Sequence, residues 1–199
     1  MSDDMGLSPL ARERLARIGE LSATEQRQMQ QKRELEGALA AYFLGDSEVE
    51  GLWQQLKSLS ESHGSGVLSA AQTTIVETLR LQMSEDDFAR RKDALLAIET
   101  LKKSDKYSAI ELILGSIASL RQRYGEVIRQ ALDQLRGQME SQMRGAAEQA
   151  RMQGMLVDTE GTIEASIKAA PEWQEFMSRH DASSQQTLHD YIDRLTALL

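Results

Sequence analysis

Acidic and basic side chains alternate along residues 126–151 at steps of three or four residues. The members of this series are Glu126, Arg129, Asp133, Arg136, Glu140, Arg144, Glu148 and Arg151. On an α-helix, residues three or four positions apart lie on neighbouring turns, and each acid–base pair stabilises the helix by roughly 0.2–0.5 kcal/mol. A β-strand, with its period of two, does not bring these positions together. The series, here called the charge ladder, therefore predicts a long helix with one face in water.

The composition of the whole chain also favours helices. The 199 residues are 41% hydrophobic and 27% charged, which is typical of a globular protein. Only two prolines occur, Pro9 and Pro171, so the residue that most often ends a helix is almost absent. The abundant unbranched side chains, such as Leu, Glu, Gln and Arg, lose little rotamer freedom in a helix. We predict an all-α fold in the form of a multi-helix bundle.

Charge and cysteine content argue against several kinds of partner and site. The net charge is −8, and a nucleic-acid-binding surface normally needs clustered basic residues. The absence of cysteine excludes disulfides, thiolate nucleophiles and zinc–thiolate sites.

The most apolar stretch, residues 109–120, is shorter than the roughly 20 residues that span a bilayer. The acidic N-terminus lacks the apolar segment of a secretory signal. We expect a cytoplasmic protein with no nucleic-acid partner, no membrane partner and no cofactor.

Helix start and stop signals divide the chain. Ser8 followed by Pro9 predicts a helix start, and Gly45 predicts its end; this helix either crosses solvent or is interrupted near Ser22. Capping boxes predict further starts at Ser47–Glu50 and Ser183–Gln186, and Ser84 with Asp87 predicts another capped start. The predicted divisions are an N-terminal long helix (1–45), a helical bundle core (46–124), an extended helical arm (125–154) and C-terminal acidic helices that pack on the bundle (155–199).

The longest predicted helix covers residues 105–154. It contains no proline, and its apolar residues recur about every 3.6 positions, which predicts a nearly straight helix. Unbroken, it would be about 75 Å long at 1.5 Å per residue. Glycine disfavours a helix interior, so a break near Gly125 is the alternative.

The two halves of this helix differ in character. Before Gly125, apolar side chains cover most of the circumference, which predicts burial on several sides; they are Ile110, Leu112, Ile113, Leu114 and Ile117. After Gly125 the apolar residues narrow to one stripe, here called the distal seam, which consists of Ile128, Leu132, Leu135, Met139, Met143 and Ala146. A monomer rarely exposes such a stripe. We therefore expect a homo-oligomer, most simply a two-fold dimer with antiparallel arms that pair through the distal seam.

The last helix carries a second apolar stripe, which consists of Leu188, Tyr191, Ile192 and Leu195. This stripe either completes the core of the bundle or docks on a protein partner. The acidic residues beside it favour a protein groove over an anionic membrane.

The C-terminal region also holds the only concentration of histidine and carboxylate residues. His189 and Asp193 are one helical turn apart and could share a divalent metal ion, with His180 nearby in sequence. The Glu-x-x-His pairs of di-iron bundles are missing, so a solvated helix face is the simpler interpretation.

The sequence favours a non-enzymatic structural or adaptor protein that acts through protein contacts and self-association. The alternatives are a small metal-dependent helical enzyme or binder that uses the His180, His189 and Asp193 region, and a helical chaperone that clamps apolar client segments. No residue is predicted to be catalytic or to bind metal.

Overall fold

A computed structural model describes the backbone of residues 23–152 and 159–199, and the side chains of residues 25–141 and 163–199. This described part contains seven helices and no strands, which confirms the predicted all-α, multi-helix bundle. The helices are α1 (Ala23–Leu44), α2 (Val49–His63), α3 (Gly66–Val76), α4 (Glu85–Lys102), α5 (Tyr107–Met152), α6 (Thr159–Ala169) and α7 (Pro171–Thr196). The predicted start at Ser8–Pro9 and the predicted interruption near Ser22 lie outside the described residues.

The chain divides into two compact units within α3. The first unit ends at Gln72, and the second begins at Thr73. In the first unit, α1 and α2 pack against each other through apolar side chains that include Leu35, Leu39, Tyr42, Leu52 and Leu56. The domain limits predicted at 45, 124 and 154 stay predictions.

The predicted helix boundaries near residue 45 and residue 84 are confirmed. Gly45, directly after α1, has a φ of +85°, which side-chain-bearing residues rarely adopt. The Ser84 hydroxyl oxygen accepts a hydrogen bond from the Asp87 backbone N–H at 3.0 Å, as an N-cap residue does.

Two predicted capping boxes are wrong. The N-cap of α2 is Glu48, without a side-chain cap, because the helix begins one residue later than a Ser47 cap requires. Ser183 lies inside α7, which continues unbroken from Pro171. The neighbouring Ser184 is buried, so packing in the second unit keeps this segment helical despite its local capping signal.

Helix α5 organises the second unit, because α4, α6 and α7 each pack against it. Its backbone is helical through Gly125, so the alternative of a break there is wrong. At 1.5 Å per residue the 46-residue helix is about 69 Å long. Contacts with α4, α6 and α7 on both sides of Gly125 offset the roughly 1 kcal/mol that a glycine costs in a helix interior.

The prediction that the first half of α5 is apolar and buried on most sides is wrong at one position. Ile110, Leu114 and Ile117 are fully buried. Leu112, by contrast, is 72% exposed. Residue 112 lies about 200° around the helix from the buried positions 110 and 114, so it points away from the buried side of α5. The apolar pattern of the sequence therefore overestimates how much of the helix circumference is buried.

The charge ladder is exposed at Arg129, Asp133 and Glu140 and half-buried at Glu126. Arg136 is different, because its guanidinium lies 3.6 Å from the Glu164 carboxylate of α6. The Nζ atom of Lys168 lies 2.7 Å from the Glu164 carboxylate and lowers the pKa of Glu164. Arg136 lowers this pKa further, by a weaker effect. One member of the ladder therefore joins two helices instead of facing only water.

Candidate functional site

A hydrogen-bonded chain centred on Tyr124 joins three segments of the second unit. The side-chain amide of Gln82, which precedes α4, donates to the Tyr124 hydroxyl oxygen at 2.6 Å. The same hydroxyl donates to the Asp181 carboxylate of α7 at 2.7 Å. Tyr124 itself is buried on α5. Both the donor and the acceptor capacity of its hydroxyl are thus used inside the fold.

His180 extends this cluster. Its ring stacks on Tyr124, with 5.0 Å between ring centroids and 6° between planes, and on Phe176 at 5.6 Å and 11°. Its Nε2 atom lies 3.2 Å from the Tyr124 main-chain oxygen. Because a carbonyl oxygen only accepts, Nε2 must carry the proton of this hydrogen bond. His180 therefore fixes α7 against α5.

The surroundings of Tyr124 keep its hydroxyl protonated. Burial raises the pKa of Tyr124, and the neighbouring Asp181 carboxylate raises it further, against a lowering by Gln82. A phenol with a raised pKa is less often ionised, and so a poorer nucleophile, at neutral pH. The group that the fold provides here is a hydrogen-bond donor that connects α5 with α7.

Replacing Tyr124 with phenylalanine should lower the free energy of unfolding by about 1–2 kcal/mol, because the two hydrogen bonds of its hydroxyl, with Gln82 and with Asp181, are lost. Urea denaturation followed by circular dichroism measures this loss. Tyr191→Phe is the matched control, since Tyr191 is only half-buried on the same helix as Asp181, and it should change stability by less than about 0.5 kcal/mol. Equal losses in the two variants would contradict a specific role for the Tyr124 hydroxyl.

A second polar contact lies around Arg121. This side chain is buried, and its Nη2 atom donates to the main-chain oxygens of Met83 and Ser84 and lies 3.0 Å from the Glu85 carboxylate. The guanidinium carbon lies 4.6 Å from the centre of the Phe88 ring. Arg121 therefore holds the first turn of α4 against α5.

Neither polar contact was predicted as a site from the sequence. Arg121 lies three residues before Tyr124 and four after Ile117, on the apolar side of α5. A charged residue on an apolar stripe indicates a buried group that needs partners. That signal could have identified Arg121, but not its partners, which are main-chain oxygens 37 and 38 residues earlier in the chain.

The chain's own helices contact the first four residues of the distal seam. Ile163, Ile167 and Trp173 form a buried cluster on α6 and the start of α7. The half-buried side chains of Ile128, Leu132, Leu135 and Met139 pack against this cluster. Met143 and Ala146 lie outside the described side chains. Dimer formation through the distal seam stays a prediction, but four of its residues already have apolar contacts within the chain.

The stripe predicted on the last helix is divided between the core and the surface. Leu188 and Leu195 are buried, whereas Tyr191 and Ile192 are half-buried. Half of this stripe therefore completes the core of the second unit, which was one of the two interpretations. Docking of a partner on the other half stays a prediction.

The residues of the alternative metal site are not brought together. His189 Nε2 lies 3.6 Å from an Asp193 carboxylate oxygen, and both side chains are exposed. His180 is nine residues earlier on α7, about 2.5 turns, and therefore points to the opposite side of the helix. Within the described residues, no three His, Cys, Asp or Glu side chains form a cluster suited to a metal ion.

The described helices also give a result on membrane insertion. None of them combines the length and the apolar character that crossing a bilayer requires. This agrees with the short apolar stretch at residues 109–120.

Comparison with known proteins identifies the family of this chain. Residues 53–197 match the model of a family of unknown function, DUF6657. This range covers most of α2, all of α3 to α6, and α7 up to its C-cap. No curated protein and no solved structure matches the chain. Since the match extends over more than half of the sequence, the chain belongs to the DUF6657 family.

Proposed function

We propose that this protein is a non-enzymatic helical adaptor that acts through protein–protein contacts, including self-association. The observation that carries the proposal is the 72% exposure of Leu112 on the longest helix. Leucine is among the side chains most often buried, and Leu112 lies in the most apolar stretch of the chain. An exposed leucine on the same helix as the fully buried Leu114 and Ile117 suits a surface that another protein covers.

The hydrogen bonds of the polar side chains in the second unit support the same proposal. The hydroxyl of Tyr124 and the guanidinium of Arg121 join helices of the second unit to one another. Lys102 and Lys106 likewise donate to the main-chain oxygens of Leu199 and Leu198. These interactions stabilise relative helix positions, which is what a scaffold for partner binding requires. We further propose a cytoplasmic location, with neither nucleic acid nor membrane as partner.

Light scattering combined with small-angle X-ray scattering tests the self-association directly. We expect a concentration-dependent mass that approaches twice the chain mass of 22.2 kDa. A mass that stays at the monomer value across the accessible concentrations would contradict the proposal.

Elemental analysis of the same sample tests the metal-dependent alternative, which the spacing of His189 and Asp193 in the sequence suggested. Stoichiometric metal in the wild type that is lost in His189→Ala would support the alternative over the adaptor.

A further inference from the structure

The outward side of α5 presents a continuous exposed surface in the second unit. This surface, here called the outer face, consists of Glu111, Leu112, Gly115, Ser119 and Arg123, all of which are exposed. Glu111, Gly115, Ser119 and Arg123 follow one another at steps of four residues, and Leu112 lies three residues before Gly115. The five residues therefore form a band that winds about a third of the way around the helix. Lys92 of α4 and Tyr191 of α7 border it and form a shallow depression around it.

The centre of the outer face allows another chain to approach closely. Gly115 and Ser119 are small residues one turn apart, and a methyl group added at Gly115 would meet no atom within 4 Å. Leu112 lies one turn before this centre. No large side chain stands at Gly115 and Ser119, so a second helix can pack close to the backbone there. Leu112 would fill the space beside this contact.

Two opposite charges enclose this centre symmetrically. Glu111 and Arg123 lie six residues before and six residues after Ile117. Within the described part of the chain, neither makes an ion pair. Their separation along the helix is about 18 Å at 1.5 Å per residue.

This arrangement is complementary to itself. A two-fold axis through the level of Ile117, perpendicular to α5, places a second α5 antiparallel to the first. Glu111 then faces Arg123 of the second copy, Arg123 faces Glu111, and Gly115 faces Ser119. Parallel pairing would instead place Glu111 beside Glu111 and Arg123 beside Arg123. An isologous interface requires a self-complementary surface of this kind.

We propose that the outer face binds the same face of a second copy of this chain, in an antiparallel two-fold dimer. This proposal rests on the proposed function, because it names the partner and the surface of the self-association. It differs from the sequence-based prediction, which placed the dimer contact on the distal seam. The second copy covers Leu112 and gives an ion-pair partner to Glu111 and to Arg123, whose Nε atom in the single chain donates to the Ser119 main-chain oxygen at 3.3 Å.

Charge reversal tests the pairing of Glu111 with Arg123. Sedimentation equilibrium on the full chain should show that Glu111→Arg and Arg123→Glu each weaken the dimer by roughly tenfold, because each change turns two attractive pairs into two repulsive ones. The double variant Glu111→Arg/Arg123→Glu restores opposite charges at both contacts. Its dissociation constant should return to within about threefold of the wild-type value.

Two further variants distinguish a specific effect at the outer face from a general effect of net charge on the dimer. Glu140→Arg makes the same charge change at an exposed position of α5 away from the outer face, and it should leave the dimer unchanged. Leu112→Ser should weaken the dimer without loss of helix content by circular dichroism, because its side chain is exposed in the single chain. If all variants have the same helix content, differences in their dissociation constants do not result from unfolding.

The possible results distinguish the two proposals. A wild-type dimer that both single charge reversals leave intact would overturn the outer-face proposal and leave self-association in place. A wild type that is monomeric at every concentration would overturn the self-association as well. Weakening by each single reversal with recovery in the double variant supports the antiparallel contact.

Discussion

Replacing Trp173 with alanine should lower the free energy of unfolding of the second unit by about 3–5 kcal/mol. Trp173 is only 9% exposed and packs with Ile163 and Ile167. Its ring also contacts Phe176, with 5.5 Å between centroids. Alanine would leave a cavity at the junction of α5, α6 and α7, which the neighbouring helices can fill only in part.

The same change should expose the distal seam. Ile128, Leu132 and Leu135 lose one of the buried side chains that they pack against. We therefore expect stronger binding of an environment-sensitive apolar dye in addition to the lower stability measured by chemical denaturation. Trp173→Phe is the matched variant, because a smaller ring retains much of the contact. A loss below about 1 kcal/mol in Trp173→Ala, with unchanged dye binding, would contradict the packing of α6 and α7 on the seam.

Replacing Arg121 with alanine should cost about 2–4 kcal/mol of stability. The hydrogen bonds from the guanidinium to the main-chain oxygens of Met83 and Ser84 would be lost, and a hydrogen bond to a charged group contributes about 1.5–3 kcal/mol. The Ser84 oxygen would keep the Phe88 backbone N–H as its donor. The ring of Phe88 would also lose the guanidinium packed on its face. Urea denaturation followed by circular dichroism measures the effect.

Two control variants separate the contributions of Arg121. Glu85→Ala removes only the ion pair, and the Glu85 side chain is 83% exposed, so its cost should stay below about 1 kcal/mol. Arg121→Lys keeps the charge but loses the planar fork, so its loss should be intermediate. Equal losses for Glu85→Ala and Arg121→Ala would indicate that the surface ion pair, not the buried hydrogen bonds, is the stabilising contact.

The features of this fold that were predictable from the sequence depend on local physics. The Ser84 cap, the end of α1 before Gly45 and the continuity of α5 each follow from residues within a few positions of one another. The charge ladder in particular indicated a long helix in this part of the chain, and the backbone is helical through Gly125. Local sequence patterns are sufficient to predict a feature where the alternatives, such as a continuous and a broken helix, differ mainly in local backbone preference.

The features that were not predictable depend on which helices meet. Apolar periodicity cannot distinguish Leu112, which faces water, from Leu114, which is fully buried two residues later. The contact of Arg121 with Met83 and Ser84 requires the α4–α5 packing to be known. The contact of Trp173 with the distal seam likewise depends on the position of α6. In each case the missing information is a long-range contact that no local pattern contains.

The exposure of Leu112 changes where a dimer contact is expected. The sequence pointed to the distal seam, because its narrow stripe resembled an unpaired surface. With Ile163, Ile167 and Trp173 against the first four seam residues, the outer face with Leu112 is the better candidate among the described surfaces. Its two flanking charges also define which residues of the two copies would face each other.

Mixing the two single charge-reversal variants tests the antiparallel contact most directly. Glu111→Arg and Arg123→Glu should each associate weakly alone. In a mixed dimer, however, the arginine introduced at position 111 lies opposite the glutamate introduced at position 123, and the unchanged Arg123 lies opposite the unchanged Glu111. Both contacts between the two chains are then attractive again.

Light scattering of the equimolar mixture should therefore give a mass close to twice 22.2 kDa at concentrations where each variant alone is mainly monomeric. Glu140→Arg mixed with Arg123→Glu is the control with the same net charges. Its mean mass should stay clearly lower, because the Glu140→Arg chains pair with themselves and leave the Arg123→Glu chains largely monomeric. Equal masses in the two mixtures would contradict the pairing of outer faces.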